Sequence, residues 1–414
     1  MSQVQRRETR AEQTEQISRR LREVALQHIA SVGVDGLSMV RVAEDAQVSK
    51  SPLYRRYDDS VDLAVDVWDH HLREHLQFLL ERIREYVVSD DESSLKWLVS
   101  QMHKPSTESA ALIECIAAAR RFEYLLEAVE IDLERELDEY LASVAHLPMD
   151  IALSYVTYVF GGLLIGSLLP TSQSEAMRAF SLWAGYLRDD AFYSDQPMPT
   201  EVRPIPLNVP HSDDQTLGNL VTAATKVIMR TGFEKATANR ISRYANKAFS
   251  TSYAYFDSKE ELMMYATEFV FRDSIVRNDI MLAQGDEQQH TELAASRLRE
   301  VSTASASEEA RIFRVEATLA ARHYAELQDA VKNLFRQSLD QILSISNPRK
   351  EIQEEVRSVW VGVRIAGFGH NVLGLVARRH SDINWMSTAR AAALLVREHA
   401  MKNYVDDDFA KMVS

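Results

Sequence analysis

The stretch AEDAQVSKSPLYRRYDDSVDL, residues 43–63, decides the fold. Upstream of it, Leu21, Val24, Ala25, His28 and Ile29 fall on one face at helical spacing. Gly33 follows, where a helix stop needs a left-handed residue. Ser38 suits an N-cap, and Val42, Ala43 and Ala46 form the buried side of a short second helix. Gln47 sits in the tight turn, Ser49 or Ser51 caps a third helix, and Pro52 suits its first turn. Leu53 and Tyr57 face back to the core, whereas Lys50, Tyr54, Arg55 and Arg56 include the outward positions. A short helix with basic and hydroxyl groups near its start is one that can enter a major groove.

Sliding the chain against itself by 199 residues brings a second copy into register without a gap. Leu21 meets Leu220, Ala25 meets Ala224, Gly33 meets Gly232, and Ser38 meets Thr237. Val42 then meets Ile241, Tyr54 meets Tyr253, Tyr57 meets Phe256, and Leu63 meets Leu262. The second copy reads ISRYANKAFSTSYAYFDSKEEL over residues 241–262. Its turn is Asn246-Lys247-Ala248, and asparagine tolerates a left-handed backbone better than most residues. Its outward face is less basic, so its electrostatic grip on DNA is expected to be weaker.

Both copies resemble the N-terminal domain of the TetR family of regulators. That pattern runs through a helix ending at glycine, an N-cap, "IA..AGVS", a short "Y.YF" recognition helix and "K..L". In the first copy Val42-Ala43, Val48-Ser49, Tyr54, Tyr57 and Leu63 occupy those places. Ser60 stands where the family usually has lysine, and Gln47 where it usually has the turn glycine; the second copy keeps the lysine as Lys259. The resemblance implies DNA contacts from Ser38, Arg41, Ser49, Lys50, Ser51, Pro52, Tyr54, Arg55 and Tyr57. In the second copy it implies Thr237, Arg240, Lys247, Phe249, Ser250, Thr251, Tyr253 and Lys259.

The organisation expected is all-α, two consecutive TetR-like units: a first head at 1–60, a helical body at 61–193, a linker at 194–216, a second head at 217–259 and a second body at 260–414. Pro197, Pro199, Pro204, Pro206 and Pro210 mark the linker as extended. In each body two helices, at 150–169 with 175–192 and at 355–379 with 386–403, are expected to pair across the halves as a four-helix bundle. Gly161, Gly162, Gly166, Gly362, Gly367, Gly369 and Gly374 would permit close approach. Tethering favours pairing within one chain, giving a pseudo-dimer with an asymmetric operator; the alternative is that two chains pair, giving four heads and a longer site, and a further homodimer of the pseudo-dimer stays open. The resemblance also implies release by a small, often apolar effector. Trp97, Met102, His103, Phe122, Tyr124 and Tyr158, with Phe313, His323 and Tyr324, are the candidate pocket residues; Phe335 and Trp360 are further counterparts.

The net charge of −14 argues against a polyanion partner only where basic residues are spread evenly, and the first 22 residues gather Arg6, Arg7, Arg10, Arg19, Arg20 and Arg22. The acidic run Glu123 to Glu139 reads as a solvated helix face. Cys115 is the sole cysteine, the first 20 residues lack the apolar core of a signal peptide, and a cytoplasmic protein is expected. Ile151 to Leu169 is long and uncharged enough to span a bilayer, but a buried interface helix explains both it and its counterpart, so no membrane is expected. His70, His71, Glu74 and His75 lack the order of a metal motif. No P-loop, Rossmann fingerprint, nucleophile elbow or CxxC occurs. Neither enzyme chemistry, cofactor nor metal is therefore expected. An adaptor or antirepressor with inert heads is the alternative to a DNA-binding repressor; a small-molecule carrier or enzyme ranks third.

Overall fold

In the computed structural model, residues 10–200, 214–252, 254–282, 308–346 and 350–401, with a few positions between, are described. Every regular element among them is a helix. The first half runs α1 (Arg10–Val32), α2 (Met39–Asp45), α3 (Lys50–Tyr54), α4 (Ser60–Val67), α5 (Arg73–Ser89), α6 (Glu92–His103), α7 (Thr107–Ala118), α8 (Glu123–Ser143), α9 (Met149–Ile165) and α10 (Gln173–Arg188). The second runs α11 (Gln215–Lys235), α12 (Ala238–Tyr244), α13 (Phe249–Ser252), α14 (Lys259–Leu282), α15 (Glu308–His323), α16 (Ala325–Ser346), α17 (Gln353–Val376) and α18 (Met386–Val396). Most of the proline-rich segment, 201–213, lies outside the described residues.

The ends of these helices follow from local chemistry. The Asp59 carboxylate accepts the Val61 and Asp62 amides at the start of α4, and Ser172 and Glu175 form a reciprocal capping box on α10. Asp90, at φ 52, closes α5.

The two halves meet along α9 and α17, with α10 and α18 flanking them. Among the described residues α9 and α17 are the two helices long and apolar enough to cross a membrane, and both are mostly buried inside the protein. The backbones approach at two glycines. A Cβ on Gly161 would overlap the Ile365 carbonyl oxygen, and one on Gly369 would overlap that of Thr157. Gly162 and Gly166 admit Met102, whereas Gly367 meets nothing within 4 Å. Polar contacts frame the crossing. The Thr388 amide donates to Asp150 Oδ2 at 2.8 Å, and the Ser154 and Thr388 hydroxyls lie 2.7 Å apart.

The acidic helix α8 departs from expectation. Glu130, Glu134 and Asp138 receive Arg378 and Arg379 from the second half, with Arg379 Nη1 2.6 Å from Asp138. On its inner face the buried Asp132 accepts Trp68 Nε1 at 2.9 Å and Arg73 Nε at 2.7 Å. The run is a clamp between halves and a polar support within the first body, rather than a solvated face.

Candidate nucleic-acid interface

The cap of the second helix and the turn that follows it repeat from the first head to the second. The Ser38 hydroxyl accepts the Arg41 amide, and Thr237 accepts that of Arg240. Val48 N donates to Ala43 O at 2.9 Å, as Lys247 N does to Ser242 O. The turn residues Gln47 and Asn246 have φ 53 and 55, and the helix-ending Gly33 and Gly232 have φ 71 and 73. Gln47 thus adopts the left-handed conformation without being glycine, a cost that the amide side chain of Asn246 lessens. Leu53 is fully buried, fixing α3 on the head's core.

On the outer side of the first head, Arg41, Ser49, Lys50, Ser51, Tyr54 and Arg55 are exposed, and Pro52 is half-buried. On the second, Thr237, Arg240, Phe249 and Ser250 are exposed, while Lys247 and Thr251 are half-buried; Tyr253 lies outside the described residues. Ser49 takes the N-cap position of α3, although its side chain makes no capping bond.

Tyr57 faces the core as its spacing indicates, and Arg56 and Lys259 are turned inward although outward or DNA-contacting places are expected for them. Tyr57 is buried and donates its hydroxyl to Asp66 at 2.5 Å, so it braces α4 instead of meeting a ligand. Arg56 turns back, with Nε on Ser18 Oγ at 2.9 Å and Nη2 on Thr14 O at 3.2 Å. Tyr255, its counterpart, donates to Asp214 at 2.7 Å. Lys259 lies over the Phe233 ring and donates to Phe233 O at 3.2 Å, holding the end of α11 rather than presenting to a phosphate. Of the N-terminal arginines, Arg22 is buried against Glu15 and Asp66, and Arg19 pairs with Glu23 at 2.9 Å.

The candidate effector residues do not form one pocket. Phe313 is fully buried core. Met102 fills the space left by Gly162, and Tyr124 is 74% exposed. Trp97 packs edge-on against Phe78. Tyr158 is fully buried and stacks on Phe180 at 4.5 Å. Its hydroxyl, Trp183 Nε1 and His103 Nδ1 are buried without a hydrogen-bond partner. In the second body His370 Nδ1 and His380 Nε2 lie 3.0 Å apart, and burial lowers the pKa of both. Their other ring nitrogens and Asn371 Oδ1 are likewise buried without a partner. Of the other histidines, His75 Nε2 meets Ser109 Oγ at 2.8 Å and His70 Nδ1 meets Asp66 O at 2.9 Å.

His323 and Tyr324 line a cleft between the halves with Gly33, Glu114 and Phe233, and Phe122 lies nearby under Lys235. Its free space, about 30 Å³, suits a water or two rather than an organic molecule. Around it runs an ion network that crosses the halves in both directions. Glu114 receives Arg322 Nε at 2.8 Å and His323 Nε2 at 3.0 Å. Glu316 receives Arg120 Nη2 at 3.1 Å and Arg121 Nε at 3.0 Å. Arg121 also pairs with Asp35 of the first head, and Arg120 donates to Met229 O near the end of α11. Burial pushes the Glu316 carboxyl up to about 7, against the pull of Arg121 and Arg120. The sequence reading missed Glu114, Arg120, Arg121, Glu316 and Arg322. The signal was present: ECIAAARRF at 114–122 recurs as EATLAARHY at 316–324, but out of step with the heads' register.

A capped short helix, a left-handed turn and an exposed third helix on an all-helical body define a helix-turn-helix protein. Residues 220–266, the second of the repeated heads, match the family described as bacterial regulatory proteins, tetR family. The match supports a DNA-binding transcriptional regulator of the TetR type. No curated protein matches the chain.

Proposed function

We propose that the chain is a sequence-specific DNA-binding regulator, acting as a repressor, in which both heads read DNA and the two halves form one intramolecular pseudo-dimer. The observation that carries this reading is the repeated head geometry. The same cap, turn bond and left-handed residue recur at one offset, so residues 38–57 can dock as residues 237–256 do. The crossing of α9 on α17 at Gly161 and Gly369 supports pairing within the chain, because both sides of that contact are already occupied.

The two third helices carry different chemistry. Lys50 and Arg55 offer charge to phosphates or guanine edges, where the second head offers Phe249, Ser250 and Thr251. An operator of two unlike half-sites follows. Release by a small, largely apolar effector completes the proposal: binding in the bodies favours a conformation whose heads no longer match successive grooves. The buried, unpartnered polar atoms of Tyr158, Trp183, His103, His370, His380 and Asn371 support a polar-spotted interior in each body. A cytoplasmic location accords with this role.

Selection of bound sites from random duplexes, followed by mass measurement of the complex, tests the reading. The expected result is a non-palindromic site with one chain on two half-sites. Two chains on one such site would overturn the pseudo-dimer, and failure to enrich any sequence would overturn the regulator.

A further inference from the structure

The exchanged ion pairs join the two bodies, and one cation of each basic pair also bonds the first helix of the opposite head; the second cation is Arg121 in the first half and His323 in the second. Each basic pair of one half reaches the C-terminal turn of the other half's first head helix. Arg120 donates to Met229 O of α11, and His323 Nδ1 lies 2.9 Å from Ser31 O of α1. Each helix-ending glycine is overlaid by the opposite half's second cation: Arg121 covers Gly232, and His323 Nε2 would stand 3.3 Å from a Cβ on Gly33. Arg121 and His323 occupy matching places in the repeated motif.

Both partners of the His323 ring are acceptors. Ser31 offers a carbonyl oxygen on Nδ1, and Glu114 offers a carboxylate oxygen on Nε2. Arg322 donates Nε to the same Glu114 oxygen at 2.8 Å. A neutral imidazole carries one N–H and can satisfy only one of the two acceptors; an imidazolium satisfies both. The carbonyl end of α1 adds the negative pole of a helix dipole. Glu114 and Asp35 face the ring from the first half, as does Arg121, which Asp35 and Glu316 neutralise. From the second half it meets Glu316 and Arg322 of its own helix, Glu234 of α11, and Tyr324.

We propose that His323 is a proton-operated catch on the first head. Protonated, it bonds the Ser31 carbonyl of α1 and the Glu114 carboxylate of α7 at once, tying both to the second body. Deprotonated, it drops one of them and the first head loosens, while the second head stays held by arginines that do not lose charge near neutrality. Resting on the regulator reading, the catch makes the relative placement of the two heads, and so operator affinity, sensitive to the number of protons on that ring.

The test uses the full chain. Long-range ¹H–¹⁵N correlation of the imidazoles, with the His323 signal assigned through His323→Gln, reports which ring nitrogens carry hydrogen. Amide exchange at about pH 6 and about pH 8, corrected for intrinsic rates, reports the last turn of α1. In the native chain both nitrogens are expected to be protonated at about pH 6, and protection around Ser31 to Val34 should fall on the order of tenfold at the higher pH, the scale of one charge-assisted bond. His323→Arg should remove that pH dependence, and His323→Gln should give low protection at both. The Met229 to Gly232 turn, held through arginines paired with Glu316, whose carboxyl burial pushes up to about 7, should respond identically in all three proteins. A single neutral tautomer at about pH 6, or equal protection in the native and glutamine chains, would overturn the catch. Neither readout needs DNA, so the catch is decided whether or not the chain binds a duplex.

Discussion

Gly161 sits on the carbonyl oxygen of Ile365, with no room for a Cβ between the two helices. The residue is therefore glycine for reasons of packing, which outweigh the roughly 1 kcal/mol that glycine costs a helix relative to alanine. Gly161→Ala should push α9 off α17 and destabilise the fold by about 1–3 kcal/mol, as overpacking does. Gly367 is the internal control. It lies in the same pair of helices, is exposed and meets nothing, so Gly367→Ala should be neutral or stabilising by up to about 1 kcal/mol. Denaturant titration of both variants checks the contrast; equal effects would show that the crossing does not carry the packing assigned to it.

The buried ion network should behave differently from surface pairs. Arg121 is nearly inaccessible and serves two carboxylates, Asp35 and Glu316. Arg121→Ala leaves both without their shared cation and should cost about 3–5 kcal/mol. Arg178, which pairs with Glu354 on an open surface, should cost under about 1 kcal/mol when changed to alanine. Equilibrium unfolding measures both; a loss at Arg121 no larger than that at Arg178 would contradict the assignment.

The heads were legible in the sequence because their signals are local. Caps, a helix-ending glycine and a turn residue each act within a few positions, and a constant offset repeats them. The bodies were less legible because their decisive partners lie far apart along the chain. Arg379 finds Glu134 and Asp138 from across the fold, so the acidic run of α8 looked like a solvated face. The exchanged pairs were hidden similarly, since ECIAAARRF and EATLAARHY fall out of step with the heads by an insertion. In a helix as short as α3, periodicity does not say which way Arg56 turns; Ser18 and Thr14 on α1 decide that. Nor does an aromatic at helical spacing distinguish core from pocket, and Phe313 proved to be core.

Acid should weaken the second body through its histidine pair. Burial lowers His370 to about 3, from an ordinary value of 6.5, and lowers His380 as well. The unfolded chain therefore binds more protons than the folded one between these values. The stability contributed by the neutral rings is fully present above pH 6.5 and is lost progressively as pH falls toward 3. Each unit below 6.5 should cost about 1.4 kcal/mol for an imidazole that stays neutral when folded. Thermal melts at about pH 7.5 and about pH 5.5, on either side of the ordinary imidazole value, should show a drop that His370→Gln makes shallower. An unchanged pH slope in that variant would mean the pair is not the acid-sensitive element.

The last expectation concerns the DNA face and separates grip from support. Lys50 and Arg55 are exposed at the third helix of the first head, whereas Lys259 of the second is spent on Phe233 O. Affinity for the selected operator, measured by fluorescence anisotropy over a range of salt, should fall for Lys50→Ala and Arg55→Ala. For each phosphate contact removed, the slope of log affinity against log salt should decrease by about 1. Phe249→Ala should instead weaken binding with little change in slope, because an apolar contact releases no counterion. Lys259→Ala should leave the slope unchanged and lower the melting temperature, since that ammonium braces the end of α11. If Lys259→Ala flattened the salt dependence while Lys50→Ala and Arg55→Ala did not, the roles assigned to these cations would be reversed.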